Sequence, residues 1–203
     1  MKKLTFIAVL GALIMGCTPS TVIQKSWKDP SSTAKINEFK KVLVIVFAQS
    51  ETARRQAEEA LAARFQGRGV PSYNQKVVVE KGADAEAITA ALKTEGFDAA
   101  LVTRLIDKEK ETSYVPGTIT YAGGFRGYYG YGYGAYSSPG YYVEDKIYYV
   151  ETNVYDLNAD KLIWSAVTSS TNPNKLDKTI DEIATVLADK MEEDGLLVRP
   201  AKK

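Results

Sequence analysis

The run Val42-Leu43-Val44-Ile45-Val46-Phe47 constrains the fold of this chain more than any other feature of the sequence. The run is continuously apolar and rich in β-branched residues. That composition, without a polar residue at every second position, is typical of a strand buried on both faces of a sheet. Such a sheet needs a packed layer on each side. The run therefore predicts a sheet that is covered by helices.

The residues around this run predict alternating strands and helices. Apolar residues recur at helical spacing over 51–66, with Ser50 as a plausible N-cap. Short strands are predicted within 70–79, a second helix over 85–95 and another buried strand from Ala99. This order favours a parallel or mixed sheet with right-handed crossovers.

The second half of the chain has a different pattern. Two β-rich segments, 146–156 and 161–171, are joined by Leu157-Asn158-Ala159-Asp160 and predict a hairpin. A last helix is predicted over 174–194. Its apolar stripe includes Leu187, and we expect it to pack on the face of the sheet that contains Trp164.

These patterns together predict the fold class as α/β (mixed α+β). We expect a single mixed sheet with two crossover helices and a C-terminal helix packed on it. The domain should span 36–198, with a Tyr/Gly-rich insertion at 114–142 and a short tail at 199–203.

The N-terminus has the layout of a secretory signal peptide over residues 1–16. Two lysines precede an apolar stretch from Leu4 to Met15, and Gly16 stands before Cys17. The apolar stretch is shorter than the roughly 20 residues that a membrane-spanning helix needs.

Ile14-Met15-Gly16-Cys17 resembles the lipobox of bacterial lipoproteins. The resemblance implies that Cys17 becomes the first residue of the mature chain and carries fatty-acyl groups such as palmitate. Thr18 is not the aspartate that commonly retains Gram-negative lipoproteins in the inner membrane, so the same resemblance implies the outer membrane. The alternatives are an ordinary secretory signal or a leftover free thiol.

Residues 17–35 are rich in Ser, Thr, Lys and Pro, a composition typical of a flexible tether. Trp27, inside this segment, is expected to dock on the domain; the alternative is the bilayer interface. Without residues 1–16 the chain carries one more acidic than basic side chain. This balance gives no electrostatic reason to expect a nucleic-acid partner.

The sequence offers little chemistry for catalysis. It contains no histidine and only one cysteine, so we expect no catalytic triad, no thiolate metal site and no cofactor. Carboxylates such as Glu58-Glu59, Asp107, Glu109, Glu111 and Glu192-Glu193-Asp194 are interpreted as solvated surface. Glu151, mid-strand, could line a cleft or lie on an exposed sheet face.

The stretch from Tyr114 to Tyr142 is the most unusual part of the chain, with nine of the 13 tyrosines and eight of the 15 glycines. If it is extended, alternation places several rings on one face. Those rings could stack on a glycan or on another protein. The alternative is a flexible low-complexity loop. The candidate contact residues are Phe125, Arg126, Tyr128, Tyr129, Tyr131 and Tyr133.

Three features resemble a group of small bacterial lipoproteins catalogued as a domain of unknown function. These are the lipobox, Gly96-Phe97-Asp98-Ala99-Ala100-Leu101-Val102, and Val154–Leu157 followed by Lys161–Ser165. The order of elements is also similar to envelope α/β domains, including curli-secretion-type lipoproteins and lipoprotein activators of cell-wall synthases. These motifs are structural, so the resemblance implies no catalytic residue.

The functional expectation is a membrane-anchored envelope protein that binds or assembles with an unknown partner and is not an enzyme. The partner could be an envelope protein or a glycan. The alternatives are a carboxylate-dependent hydrolase of cell-wall glycans and a subunit of a secretion or assembly complex. The sequence leaves the oligomeric state open.

Lipidation of Cys17 is the first testable prediction. Intact-mass analysis of the mature protein should show a chain that begins at Cys17 and carries acyl groups. Cys17→Ser should release the domain from membranes and leave its melting temperature unchanged, because the residue precedes the predicted domain. A mature chain that starts elsewhere, or that is soluble and unmodified, would contradict the prediction.

Overall fold

In the computed structural model, the described residues are 20–75, 85–115, 141–173 and 175–198. They form one six-stranded sheet and three α-helices. The strands are β1 (Thr21–Lys28), β2 (Val42–Phe47), β3 (Gly69–Pro71), β4 (Ala99–Val115), β5 (Tyr141–Asp156) and β6 (Lys161–Thr171). The helices are α1 (Glu51–Ala63), α2 (Ala85–Thr94) and α3 (Leu176–Glu193).

The sheet is mixed, in the order β1-β6-β5-β4-β2-β3. β2 pairs in parallel with β3 and β4, because α1 and α2 return the chain across the sheet. β5 is antiparallel to β4 and to β6, and β1 is antiparallel to β6. The predicted α/β class, with a single mixed sheet and a C-terminal helix, is confirmed.

The strand β2 is buried on both faces, as its composition predicts. Val42 and Val44 belong to a hydrophobic core that also contains residues of α1 and α3. Leu43 points to the other face and packs in a smaller core with Leu92 of α2 and Phe97. The sheet therefore has α1 and α3 on one face and α2 on the other.

The helix α1 packs closely on the short strand β3. The Ser50 side chain accepts a hydrogen bond from the Ala53 amide at the start of α1, as the sequence predicts. A Cβ atom at Gly69 in β3 would lie 2.4 Å from the Ala62 carbonyl oxygen. Glycine at position 69 therefore allows the end of α1 to approach β3.

Trp164 lies in the main core under α3, as predicted. It is fully buried, and Leu187 of α3 is 2% exposed. The Trp164 Nε1 donates a hydrogen bond of 2.8 Å to Asp194 Oδ2 at the end of α3. Burial raises the pKa of Asp194, but the Trp164 hydrogen bond and the Lys190 ammonium outweigh it and hold the pKa below its usual value.

The predicted flexible tether over 17–35 is wrong for Thr21–Lys28, because these residues form the edge strand β1. The prediction relied on the polar composition of this segment, but the facing strand β6 is also rich in hydroxyl side chains. Thr21 Oγ1 lies 2.8 Å from Ser170 Oγ, and Gln24 Nε2 donates to Ser169 Oγ at 2.7 Å. The domain therefore begins at Thr21 rather than at residue 36.

The two tryptophans provide a matched test of the core. Trp164→Ala should lower the free energy of unfolding by about 3–5 kcal/mol, the usual loss for a large buried aromatic. Trp27 was expected to dock on the domain, but it is 47% exposed. Trp27→Ala should therefore lower the free energy of unfolding by under about 1 kcal/mol, with both variants measured by urea titration. Equal losses in the two variants would contradict this description of the core.

Candidate functional site

The hairpin of β4 and β5 extends well beyond the rest of the sheet. β2 ends at Phe47, which is opposite Arg104 of β4. β6 ends at Thr171, which is opposite Ile147 of β5. Beyond these points Lys110–Val115 pairs only with Tyr141–Lys146. We call this two-stranded projection the arm; within the described part of the chain, neither of its outer edges has a partner strand.

The two faces of the hairpin near the base of the arm carry opposite charges. Residues directly opposite in an antiparallel ladder share a face. One face has the carboxylates of Asp107, Glu109, Glu111 and Asp145, whereas the other has Lys108, Lys110 and Lys146 together with Glu144, which pairs with Lys110 at 3.1 Å. All of these side chains except that of Asp145 are exposed, which agrees with the prediction that the β4 carboxylates are solvated.

The acidic face perturbs one tyrosine. Tyr149 Oη donates a hydrogen bond of 3.0 Å to Glu109 Oε2. This hydrogen bond, partial burial and the nearby carboxylate charges raise the pKa of Tyr149 above its usual value. The phenol acts here as a hydrogen-bond donor to the acidic face.

An apolar groove of about 380 Å³ lies at the base of the hairpin extension, between α1, α3 and the sheet. α1 and α3 both begin at this end of the sheet, where β2 ends and β6 ends. The groove is lined by Val46, Phe47, Ala53, Ala57, Leu61, Leu105, Tyr148, Val150, Leu176, Ile180 and Ile183, with a few polar residues. Arg104 is the charged residue of the lining, and it already pairs with Glu151 at 2.8 Å.

Three large apolar side chains are exposed near the start of the open edge of β4. Phe47 is 63% exposed, Leu105 42% and Ile106 39%. The register of β4 against β5 shifts between Leu105 and Asp107, so Ile106 lies at a β-bulge. Sequence reasoning missed these exposed side chains. The available signal was the Leu105-Ile106 pair immediately before an alternating charged segment.

Glu58 is not a solvated surface residue, which corrects the prediction made for Glu58-Glu59. Its side chain is fully buried between α1, β2 and the turn at 72–74. Glu58 Oε1 accepts hydrogen bonds from the Val46 amide at 3.1 Å and from Ser72 Oγ at 2.6 Å. Glu58 Oε2 accepts one from the Tyr73 amide at 3.1 Å. The carboxylate therefore acts as a structural acceptor between three backbone segments.

The predicted contact residues of the Tyr/Gly-rich stretch lie outside the described residues, as does Cys17. These contact residues are Phe125, Arg126, Tyr128, Tyr129, Tyr131 and Tyr133. Their part in binding stays a prediction. The structure does place the two ends of this stretch, because Val115 and Tyr141 pair at the tip of the arm.

No group of three or more potential metal ligands occurs in the described ranges. Among the same residues, those that line the apolar groove include no carboxylate. None of the helices described here is long and apolar enough to cross a membrane. The chemistry available at the groove is therefore apolar contact together with backbone hydrogen bonding along β4.

No protein-family model matches the chain, and no curated protein matches it. The membership in a domain-of-unknown-function family that the motifs suggested therefore stays a prediction. The chain is similar to three solved structures at low TM-scores, which carry no argument about function. The first is the PelC dodecamer from Paraburkholderia phytofirmans (15% identity, 82% of this chain and 94% of that chain, TM-score 0.42). The second is lipoprotein GNA1162 from Neisseria meningitidis, with 9% identity over 75% of this chain and 98% of that chain and a TM-score of 0.40. The third is the hypothetical protein CT253 from Chlamydia trachomatis, with 10% identity over 77% of this chain and 93% of that chain and a TM-score of 0.33.

Adjacent glutamates allow a direct test of the structural role of Glu58. Glu58→Gln places an amide N–H₂ group against a backbone or hydroxyl donor, and it should lower the free energy of unfolding by about 1–3 kcal/mol. Glu59 contacts the Tyr73 hydroxyl at 2.6 Å but is exposed. Glu59→Gln should therefore change stability by under about 0.5 kcal/mol. If chemical denaturation gives equal values for the two variants, Glu58 does not have this role.

Proposed function

We propose that this protein is a lipid-anchored envelope protein that binds an extended segment of a partner protein without catalysing a reaction. The observation that carries the proposal is the apolar groove beside the open edge of β4. The anchor is the lipid on Cys17, and the membrane is the outer membrane, as the lipobox and Thr18 imply.

The chemistry of the groove supports binding rather than reaction. General acid–base catalysis needs a titratable side chain within hydrogen-bond reach of the substrate. Hydrolysis of a glycan needs two carboxylates that flank the scissile bond. The described lining of the groove contains no carboxylate; its titratable side chains are Arg104, which pairs with Glu151, and the phenol of Tyr148. Mostly apolar lining with a few polar groups is typical of a binding site.

The position of the groove supports an extended peptide as the occupant. From Leu105 onward, the edge of β4 offers backbone donors and acceptors that no described strand satisfies. An added strand would hydrogen-bond to this edge and place alternate side chains in pockets beside it. Leu105 and Ile106 on this edge, and Phe47 at the end of the neighbouring strand β2, are exposed apolar side chains. An exposed apolar edge of this kind otherwise favours aggregation.

The Tyr/Gly-rich stretch supplies a second proposed contact. Tyr128, Tyr129, Tyr131 and Tyr133, with Phe125 and Arg126, offer flat rings and a guanidinium for an envelope protein or a glycan. The stretch is joined to the two strands of the arm at Val115 and Tyr141, which pair with each other.

A cross-linking experiment in living cells tests the groove. A photo-reactive amino acid at position 106 should give a discrete protein adduct, and the further substitution Phe47→Ser should abolish it. Val22 is the matched control, since it is 43% exposed on β1 at the opposite edge of the sheet. A probe at position 22 should give no such adduct. Identical adducts at both positions, or an adduct that survives Phe47→Ser, would overturn the proposal.

A further inference from the structure

The N-terminal end of the domain and the arm lie at the same end of the sheet. The Thr171 amide donates a hydrogen bond to the Ser20 carbonyl oxygen. Thr171 is opposite Ile147, which is opposite Glu109. Ser20 therefore lies level with Glu109, on the row of laterally paired residues that crosses the sheet through Ile147 and Thr171. In the sequence, two residues connect Ser20 to Cys17, and beyond this row β4 continues into the arm.

The connection to the anchor is shorter than the arm. Two residues, Thr18 and Pro19, separate Ser20 from Cys17, and the three Cα-to-Cα steps span at most about 10 Å when fully extended. β4 continues for six residues from Glu109 to Val115, about 20 Å at the rise of a strand. A lipid on Cys17 holds the Ser20 row near the bilayer surface. Because the arm extends beyond this row, its tip then lies at the bilayer surface.

The end of the arm has a composition that suits the bilayer interface. Its last three rows pair Ser113 with Val143, Tyr114 with Tyr142, and Val115 with Tyr141, and none of these side chains is charged. The rings of Tyr114 and Tyr142 are in contact, with centroids 5.1 Å apart. Tyr142 is 75% exposed and Tyr141 61%. Exposed tyrosines with an apolar body and a polar hydroxyl are enriched where membranes meet water.

We propose that the three rows 113–115 and 141–143 are a second membrane contact, seated in the interface of the bilayer that holds the lipid anchor. This inference rests on the lipid anchor of the proposed function. The charges next to the tip, from Asp107 to Glu111 and from Glu144 to Lys146, are five carboxylates and three lysines. This balance gives no attraction to anionic lipid, so the contact depends on the aromatic tip and is insensitive to salt.

The test uses brominated lipid, which quenches tryptophan emission inside the bilayer. The mature chain from Cys17 is coupled through its thiol to maleimide lipid in phosphatidylcholine vesicles, so the attachment point is the natural one. Trp27→Phe removes the exposed native tryptophan, and the buried Trp164 stays as a constant background. In this chain, Tyr142→Trp should give blue-shifted emission that brominated lipid quenches, equally in low and high salt.

Asn158→Trp provides the matched control, because Asn158 lies in the β5–β6 turn at the opposite end of the sheet. The tryptophan introduced there should keep its emission. Adding Tyr114→Ser and Tyr141→Ser to the chain with Tyr142→Trp should weaken the quenching. Equal quenching at positions 142 and 158, or none at 142, would overturn the proposal. The chemical coupling does not need lipidation in the cell, so the mass of the natural protein tests the anchor separately.

Discussion

The ladder between β4 and β5 is the interaction on which the rest of this structure depends. On one side of it, β2, β3 and β4 are parallel and are connected through α1 and α2. On the other side, β5, β6 and β1 are antiparallel, and α3 returns over them. The same ladder continues past both halves as the arm. One end of the hairpin is therefore core, and the other is surface.

The two proposed contacts follow from this division. The groove forms where α1, α3, β2 and β6 all end or begin, while β4 and β5 continue. The open edge of β4 and the exposed Phe47 and Ile106 are consequences of the same mismatch in strand length. A two-stranded hairpin has little stability by itself in water. Contact between the aromatic tip and a membrane surface would stabilise the arm. Binding of a partner at the base of the arm is compatible with that contact.

The elements that follow from local pattern were predictable from the sequence. Val42–Phe47 forms β2 with the predicted bounds and has buried residues on both faces, and Trp164 packs under α3. The hairpin 146–156 with 161–171 was recognised because each segment is β-rich and a short polar turn joins them. In these cases the pattern of one segment is sufficient, since burial determines the residue types.

The features that were missed depend on contacts between distant segments. The polar segment 21–28 forms a strand because β6 offers hydroxyl partners such as Ser170, which no local pattern reveals. Glu58 is buried because three donors from β2 and the turn at 72–74 converge on it. The groove depends on where α1, α3, β2 and β6 begin or end relative to one another. The candidate residues of the Tyr/Gly-rich stretch lie outside the described residues, so their prediction is neither confirmed nor contradicted.

The pairing of β1 with β6 has a consequence for the order of folding. Thr21 and Ser170 are 149 positions apart in the chain, and their contact needs nearly the whole sequence to be present. Closing so long a loop is slow, and such contacts form late. A chain that crosses the inner membrane from its N-terminus cannot complete its sheet until β6 has emerged. In a chain exported in the proposed way, β1 would pair with β6 only when export is almost finished.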